Sequence, residues 1–324
     1  MTALTERPMT PADVGACLGV FYASLNELFA RWNQPSLPPD EGSGLASFFG
    51  ELAFGHGGRA WVAARPDGDL AGFGIALERE ATWYLSFLFV EPGIQTAGVG
   101  RGLLRRLLPK PGSPAAAPGA LHHTCIDALQ PISAGLYATF GMLPRVPIYE
   151  VLGRPRPGAL APLPGGIVAV PFHARPGHTK TTAAPPVDPA SLPTDLLAEL
   201  DAIDRRVLGW RRRQDHLGFM ADGRLLVRFR GRDGAPLGYG YVHSSGRAGP
   251  IAVRDPELLP AVTGDLLGRL EPGGAWRLYV PGHSTSLVPL IEAGLRINGN
   301  PALWSGNHEG PAWDGYLPAS FALL

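Results

Sequence analysis

Cysteine is scarce: Cys17 and Cys125 are the only two in 324 residues, and nothing near either has the spacing of a metal site. Two lone thiols fit a reducing compartment and fit chance equally well. Lysine is just as scarce, Lys110 and Lys180 being the only ones among 28 basic residues, and these are balanced by 28 acidic ones. No excess of either sign is available to grip a nucleic-acid backbone or an anionic membrane. No run of about 18 apolar residues occurs, and Met1 to Thr10 lacks the basic segment and apolar core of a leader. The expectation is a cytoplasmic protein without nucleic-acid or membrane partners.

Glycine and proline are abundant, at 43 and 34 residues, but 45% hydrophobic content and seven tryptophans argue for folded domains with many stiff turns. The length suits two domains. One stretch organises the first. Leu85 to Val90 is an apolar, aromatic run of strand length, and Glu91-Pro92-Gly93 stops it. From Val99 the period changes, because Val99, Leu103 and Leu107 recur at four with Leu104 and Leu108 beside them, the pattern of an amphipathic helix. Between the two lies Gln95-x-x-Gly98-x-Gly100. Glycines at a helix N-terminus let several N–H groups approach one anion, and the helix dipole favours negative charge there. A pyrophosphate fits. The P-loop is excluded because Val99-Gly100, not Lys-Ser or Lys-Thr, follows Gly98. A Rossmann turn fits poorly, since Leu103 holds its third glycine position and seven residues separate Val90 from Gly98.

The surrounding elements follow in a definite order. Thr10-Pro11-Ala12-Asp13 reads as the start of a helix running to about Ala30, with Val14, Leu18, Phe21, Leu25, Leu28 and Phe29 as its apolar stripe. A shorter helix is expected over Leu45 to Phe54. Strands at 60–65 and 70–78 flank the hairpin signal Pro66-Asp67-Gly68-Asp69 and lead into the strand of Leu85 to Val90. A strand at Leu121 to Ile126, a helix from Leu129 to Met142 and a closing strand at Val146 to Leu152 complete the half.

This arrangement resembles the GCN5-related N-acetyltransferases. Their acetyl-CoA loop is Gln or Arg, two residues, Gly, one residue, then Gly or Ala, and Gln95, Gly98 and Gly100 fill the three specified positions. Leu136-Tyr137 followed by Gly141-Met142 is similar to the family's second motif, although Gln130 stands where an Asn is common and Ser133 where Ala is usual. The resemblance implies acetyl-CoA as co-substrate, with no metal, held by Leu88, Phe89, Val90, Gln95, Thr96, Ala97, Gly98, Val99, Gly100, Arg101 and Phe140. A backbone N–H around Phe89 or Val90 would face the acetyl carbonyl. Tyr137 becomes the candidate acid for the departing sulfur, while also reading as an amphipathic core tyrosine. Glu78, or Glu80 beyond it, is the candidate base, with Tyr84 and Ser86 placed to orient a water, and each carboxylate reads equally well as a solvated hairpin charge.

After a Pro/Gly-rich linker at 155–164, residues 165–324 repeat the same element order without its letters: helix, strands, helix, strand, helix, strands. Arg254-Asp255-Pro256-Glu257 replaces the glycine loop, and Leu290 stands at the tyrosine position. The expected fold class is therefore α+β in three layers: two acyl-CoA N-acyltransferase-like domains, each a mixed, mostly antiparallel sheet flanked by helices, over 1–154 and 165–324. Only the first is expected to hold CoA, and the aromatic tail, Trp313 to Phe321, reads equally as closing a substrate cleft and as purely structural. The implied activity is transfer of an acetyl group to a primary amine of a small molecule or peptide, by a monomer or homodimer. The alternative is a CoA-binding sensor or scaffold without catalysis.

Overall fold

The computed structural model describes residues 4–38, 44–55, 57–95, 97–172 and 187–324. They fall into two compact units, Met1–Arg145 with Trp304–His308, and Val146–Leu303 with Glu309–Leu324. Each unit thus takes in a short segment from the other half of the sequence.

The first unit contains β1 (Thr5–Pro8), α1 (Val14–Arg31), α2 (Leu45–Phe54), β2 (Gly58–Ala64), β3 (Leu70–Arg79), β4 (Thr82–Val90), α3 (Val99–Leu107), β5 (Leu121–Asp127), α4 (Pro131–Ala138) and the start of β6 (Leu143–Gly153). Strands β1 to β4 form an antiparallel meander, and β5 joins β4 in parallel. Strand β1, which the sequence pattern did not single out, is pinned to the start of α1. Arg7 donates two hydrogen bonds to Asp13 at 2.7 and 2.8 Å, and Asp13 accepts from the Thr10 N–H at 2.7 Å. The Arg7 guanidinium holds the Asp13 carboxyl well below the usual range despite its burial.

A bulge at Ser86, with Ala76 opposite Leu85 but Ile75 opposite Phe87, shifts the alternation and divides β4 between two cores. Trp83 and Leu85 face α3, packed with Leu104, Leu107 and Ile126. Phe87 and Phe89 face the opposite side, where their rings meet Phe21 of α1 and Phe73. The buried stripe of α1 is Cys17, Val20, Ser24 and Leu28 rather than the purely apolar set, because Ser24 finds a partner in the sheet.

The second unit contains the rest of β6, β7 (Ile167–Phe172), α5 (Leu196–Val207), α6 (Arg213–Ala221), β8 (Leu225–Gly231), β9 (Pro236–Val242), β10 (Ala248–Val253), α7 (Leu259–Leu267), β11 (Trp276–Pro281), α8 (Leu287–Glu292), β12 (Arg296–Ile297), β13 (Ala302–Gly306, of which Trp304 to Gly306 belong to the first unit) and β14 (Tyr316–Leu317). Its sheet runs β14-β10-β9-β8-β7, and β6 pairs with β11 and β12. Each unit is a mixed, mostly antiparallel sheet between helices, the architecture the element order predicts. Helix α6 is an addition to that order. Arg212, one of five arginines between positions 205 and 213, is fully buried, and Tyr239 and Tyr316 accept its hydrogen bonds inside the unit.

Candidate functional site

The site opens along one edge of β4. Ile75 faces Phe87 and Ala76 faces Leu85, so Ser86 is an extra residue, a bulge that bends the strand. On its other edge β4 pairs with β5 only from Thr82 opposite Leu121 to Leu85 opposite Thr124. Both strands run on, to Val90 and Asp127, without further pairing. They part as a V.

The polar groups lining the V follow from the ladder on the other side. Glu91 N–H donates to the Ala71 carbonyl at 2.9 Å. Alternate residues of an antiparallel strand turn both backbone groups to the same neighbour, so Phe87 and Phe89 also face β3, and Leu88 and Val90 face the opening. The Val90 carbonyl there accepts from the Ser24 hydroxyl at 2.8 Å and from the Gln95 side-chain amide at 3.3 Å. The N–H groups of Leu88 and Val90 therefore face the opening, whereas that of Phe89 is turned toward β3.

Beside the V stands the N-terminus of α3. Gly98 is its cap, at φ 87°, a conformation that strains any L residue. A Cβ on Gly98 would meet nothing within 4 Å, so the space over the loop is clear. A Cβ on Gly100 would lie 3.4 Å from Leu136, 3.6 Å from Val90 and 4.0 Å from Leu88, which shows how closely the helix end approaches both the β4 edge and α4. The first-turn N–H groups of Val99, Gly100 and Arg101 have no preceding turn to bond, and the helix dipole adds positive potential. Arg101 lies over the ring of Phe140 at 5.6 Å. Gln95 braces the loop, accepting from Arg31 at 3.3 Å while donating to Val90. Ala97 is exposed and donates to the Ile94 carbonyl at 3.0 Å. Thr96 lies outside the described residues. The structure therefore brings together Leu88, Val90, Gln95, Gly98, Val99, Gly100, Arg101 and Phe140, whereas the Phe89 side chain packs on the other face.

The two candidate catalytic side chains have different surroundings. Tyr137 is 5% exposed, packed with Trp83, Leu104 and Met142 on the α3 side of the sheet. Burial pushes its phenol well up, against a hydrogen bond with Ser133. Glu78 pairs with Arg59 at 2.9 Å, and Arg59 also donates to the Leu108 carbonyl. That places Glu78 at the C-terminal end of α3, about 15 Å of helix rise from Gly98. His122 and His123 point to opposite faces, one toward Trp83 and the other toward Tyr84.

Asp127 was missed by the sequence reading. Ile126 faces α3, so Asp127 and Cys125 face the α1 side, where Cys125 bonds Tyr84. Asp127 accepts from the Leu129 N–H at 2.8 Å and is half-buried, which pushes its carboxyl above the usual range. The Trp32 indole donates to the Leu129 carbonyl at 3.2 Å, so the end of α1 reaches this turn while neighbouring Arg31 reaches Gln95. A signal was present in Asp127-x-Leu129 before Pro131, an Asx turn leading into a helix.

The family model of the acetyltransferase (GNAT) family matches residues 22–142. No sequence among curated proteins matches the chain. Three solved structures resemble its fold over nearly the whole length. A Pyrococcus horikoshii protein assigned as an acetyltransferase is 16% identical with a TM-score of 0.69, covering 100% of this chain and 97% of its own. A GCN5-related N-acetyltransferase from Sphaerobacter thermophilus is 18% identical with a TM-score of 0.58, covering 96% and 98%. A tandem GNAT protein from the clavulanic acid biosynthesis pathway is 14% identical with a TM-score of 0.56, covering 95% and 100%. Residues 22–142 thus carry the match to the acetyltransferase (GNAT) family model, and over its whole length the chain shares the fold of these structures, while the Gln-x-x-Gly-x-Gly loop of the first half has no counterpart in the second.

Proposed function

We propose that the first unit binds acetyl-CoA along the open edge of β4 and passes its acetyl group to a primary amine of a small molecule or peptide. The observation that carries this reading is the parting of β4 and β5 directly beside the clear N-terminus of α3. When bound, acetyl-CoA supplies the acetyl thioester. The chain's own residues supply the rest. N–H groups of Val99, Gly100 and Arg101 face the space over Gly98, where a pyrophosphate would gain both hydrogen bonds and the helix dipole. Leu88 offers an N–H and a carbonyl to an extended amide-bearing arm, much as a strand edge accepts a peptide. Burial keeps Tyr137 protonated across the physiological range, the form a proton donor requires.

Two carboxylates are available as base for the amine. Glu78 is committed to Arg59 at the far end of α3, whereas Asp127 stands at the parting of the strands on the α1 face, away from α3. Burial raises its pKa, the direction that makes a carboxylate a better proton acceptor. Asp127 is thus the stronger candidate.

The engagement of Glu78 also favours a second reading, a CoA-binding sensor or scaffold without turnover. Thiol release from acetyl-CoA against a broad panel of amines separates the two. Amine-dependent thiol release supports the acetyltransferase. Tight CoA binding with no turnover on any amine selects the sensor.

A further inference from the structure

The second unit repeats the backbone of the site closely enough to be compared position by position. In β3, Gly72 and Gly74 pair with Val90 and Leu88. In β9, Gly238 and Gly240 pair with Val253 and Ile251. The residue after each strand bonds back in the same way, Glu91 to the Ala71 carbonyl at 2.9 Å and Arg254 to the Leu237 carbonyl at 2.8 Å. Ile251 therefore stands where Leu88 stands, with its backbone groups turned away from the preceding strand. Arg247 and Arg277 form a parallel bridge, as β4 and β5 do at their start, and β10 and β11 then part.

Here the V is filled. Strand β14 enters it and pairs antiparallel with β10, Leu317 opposite Ile251 and Tyr316 opposite Ala252. Both side chains are fully buried. Leu317 joins the core of Ile251, Leu278 and Val280, on the side where α7 packs. Tyr316 turns to the α5 and α6 side, where the Arg212 guanidinium donates to its hydroxyl at 2.7 Å and to the Leu324 carbonyl at 2.6 Å. Arg212 is itself held by Tyr239, which donates to Asp204 at 2.6 Å, with Asp204 bonded in turn to His216 at 2.9 Å. On the β11 side the ring of Phe321 meets Tyr279 at 4.6 Å. Glycines permit the close approach: a Cβ on Gly315 would stand 2.7 Å from the Val253 carbonyl oxygen, and one on Gly249 would stand 2.7 Å from that of Pro318.

We propose that residues 313–324 are an intramolecular ligand of the second unit, a strand bound in the cleft where the first unit takes its acyl-CoA, so that the second unit is closed to the cofactor. The proposal rests on the reading of the first unit's V as the cofactor site. It goes further in assigning an occupant: a backbone strand satisfies Ile251, an apolar side chain takes one side of the cleft, and a phenol anchored on a buried arginine takes the other. Loss of the glycine loop at Arg254 to Pro256 and gain of the tail are then two halves of one exchange.

Amide hydrogen exchange on the intact chain tests the tail. Tyr316 and Leu317 should exchange as slowly as Ile251 and Ala252, and rapid exchange of the tail with β10 still protected would overturn the proposal. Equilibrium titration with CoA tests the closure. The intact chain should bind one CoA, and Gly98→Val, which disables the first unit's loop, should bind none. A CoA retained by Gly98→Val and protecting β10 would also overturn it. No CoA on the intact chain would instead remove the cofactor reading of the first unit, and the exchange data alone would then decide whether the tail is held as a ligand. A chain lacking residues 312–324 adds a third measurement: a synthetic peptide of those residues should bind it saturably and raise its melting temperature, while leaving the intact chain unchanged. Failure of the peptide to bind a folded truncated chain counts against the proposal.

Discussion

The Ser24 hydroxyl donates to the Val90 carbonyl at 2.8 Å, joining the middle of α1 to the last residue of β4 across 66 positions of sequence. The bond is buried, and it satisfies the acceptor that a broken β4–β5 ladder would leave facing the V. Ser24→Ala leaves that acceptor with Gln95 alone. The expected cost is about 1–2 kcal/mol of stability, read from urea unfolding. CoA affinity should weaken more in Gln95→Ala than in Ser24→Ala, because Gln95 also braces the loop. Equal and unchanged affinities in both variants would separate this bond from the site.

Gly98→Val and Gly68→Val form a matched pair. Both glycines have positive φ, 87° and 98°, and neither has an atom within 4 Å of a built Cβ. Each substitution should therefore cost a similar ~1–2 kcal/mol of backbone strain. Only Gly98→Val should weaken CoA, by about a hundredfold or more, on the order of 3 kcal/mol. Calorimetry that finds equal CoA affinity in the two variants would remove the loop from the site.

Three substitutions test the proposed chemistry. Asp127→Asn should lower kcat/KM by about 10²–10⁴-fold with CoA affinity retained, as loss of a general base does. Tyr137→Phe should lower kcat with KM for acetyl-CoA nearly unchanged. Glu78→Gln should leave the rate near that of the unaltered chain and reduce stability slightly, since it weakens the pairing with Arg59. A loss of rate in Glu78→Gln larger than in Asp127→Asn would reverse the assignment of the base.

His123 gives a pH signature. It is buried, accepts from the Trp304 indole at 3.0 Å, and burial lowers its pKa to about 3. The unfolded chain, with a histidine pKa of about 6.5, takes up this proton first as pH falls, so the stability contributed by neutral His123 is complete above that value and is lost progressively toward pH 3. Between pH 7 and pH 5 the expected loss is about 2 kcal/mol. His123→Gln, which keeps an acceptor for Trp304, should flatten that slope in urea unfolding. An unaltered slope would mean that His123 is protonated in the folded unit.

Local pattern determined much of this protein. The change of period between Val90 and Val99 placed β4 and α3, the three fixed residues of Gln95-x-x-Gly98-x-Gly100 located the glycine turn that opens α3, and the hairpin at Asp67-Gly68 set β2 against β3. These are short-range features, decided by side-chain periodicity and by backbone freedom within a few residues. The correspondence of Gly72 and Gly74 with Gly238 and Gly240 emerges only from the sheet registers, because the second half repeats the first's element order without its letters. What the sequence left open was every relation formed across long separations. Nothing in the letters of Asp127 distinguishes it from a turn aspartate until β4 and β5 are seen to part beside it. Arg212 reads as one of five arginines near a helix end until Tyr239, Tyr316 and the Leu324 carbonyl close around it. Tyr316 and Leu317 carry too short a pattern to declare a strand. They become one only because the edge of β10 offers unpaired backbone groups, and buried backbone groups must find partners wherever the chain brings them.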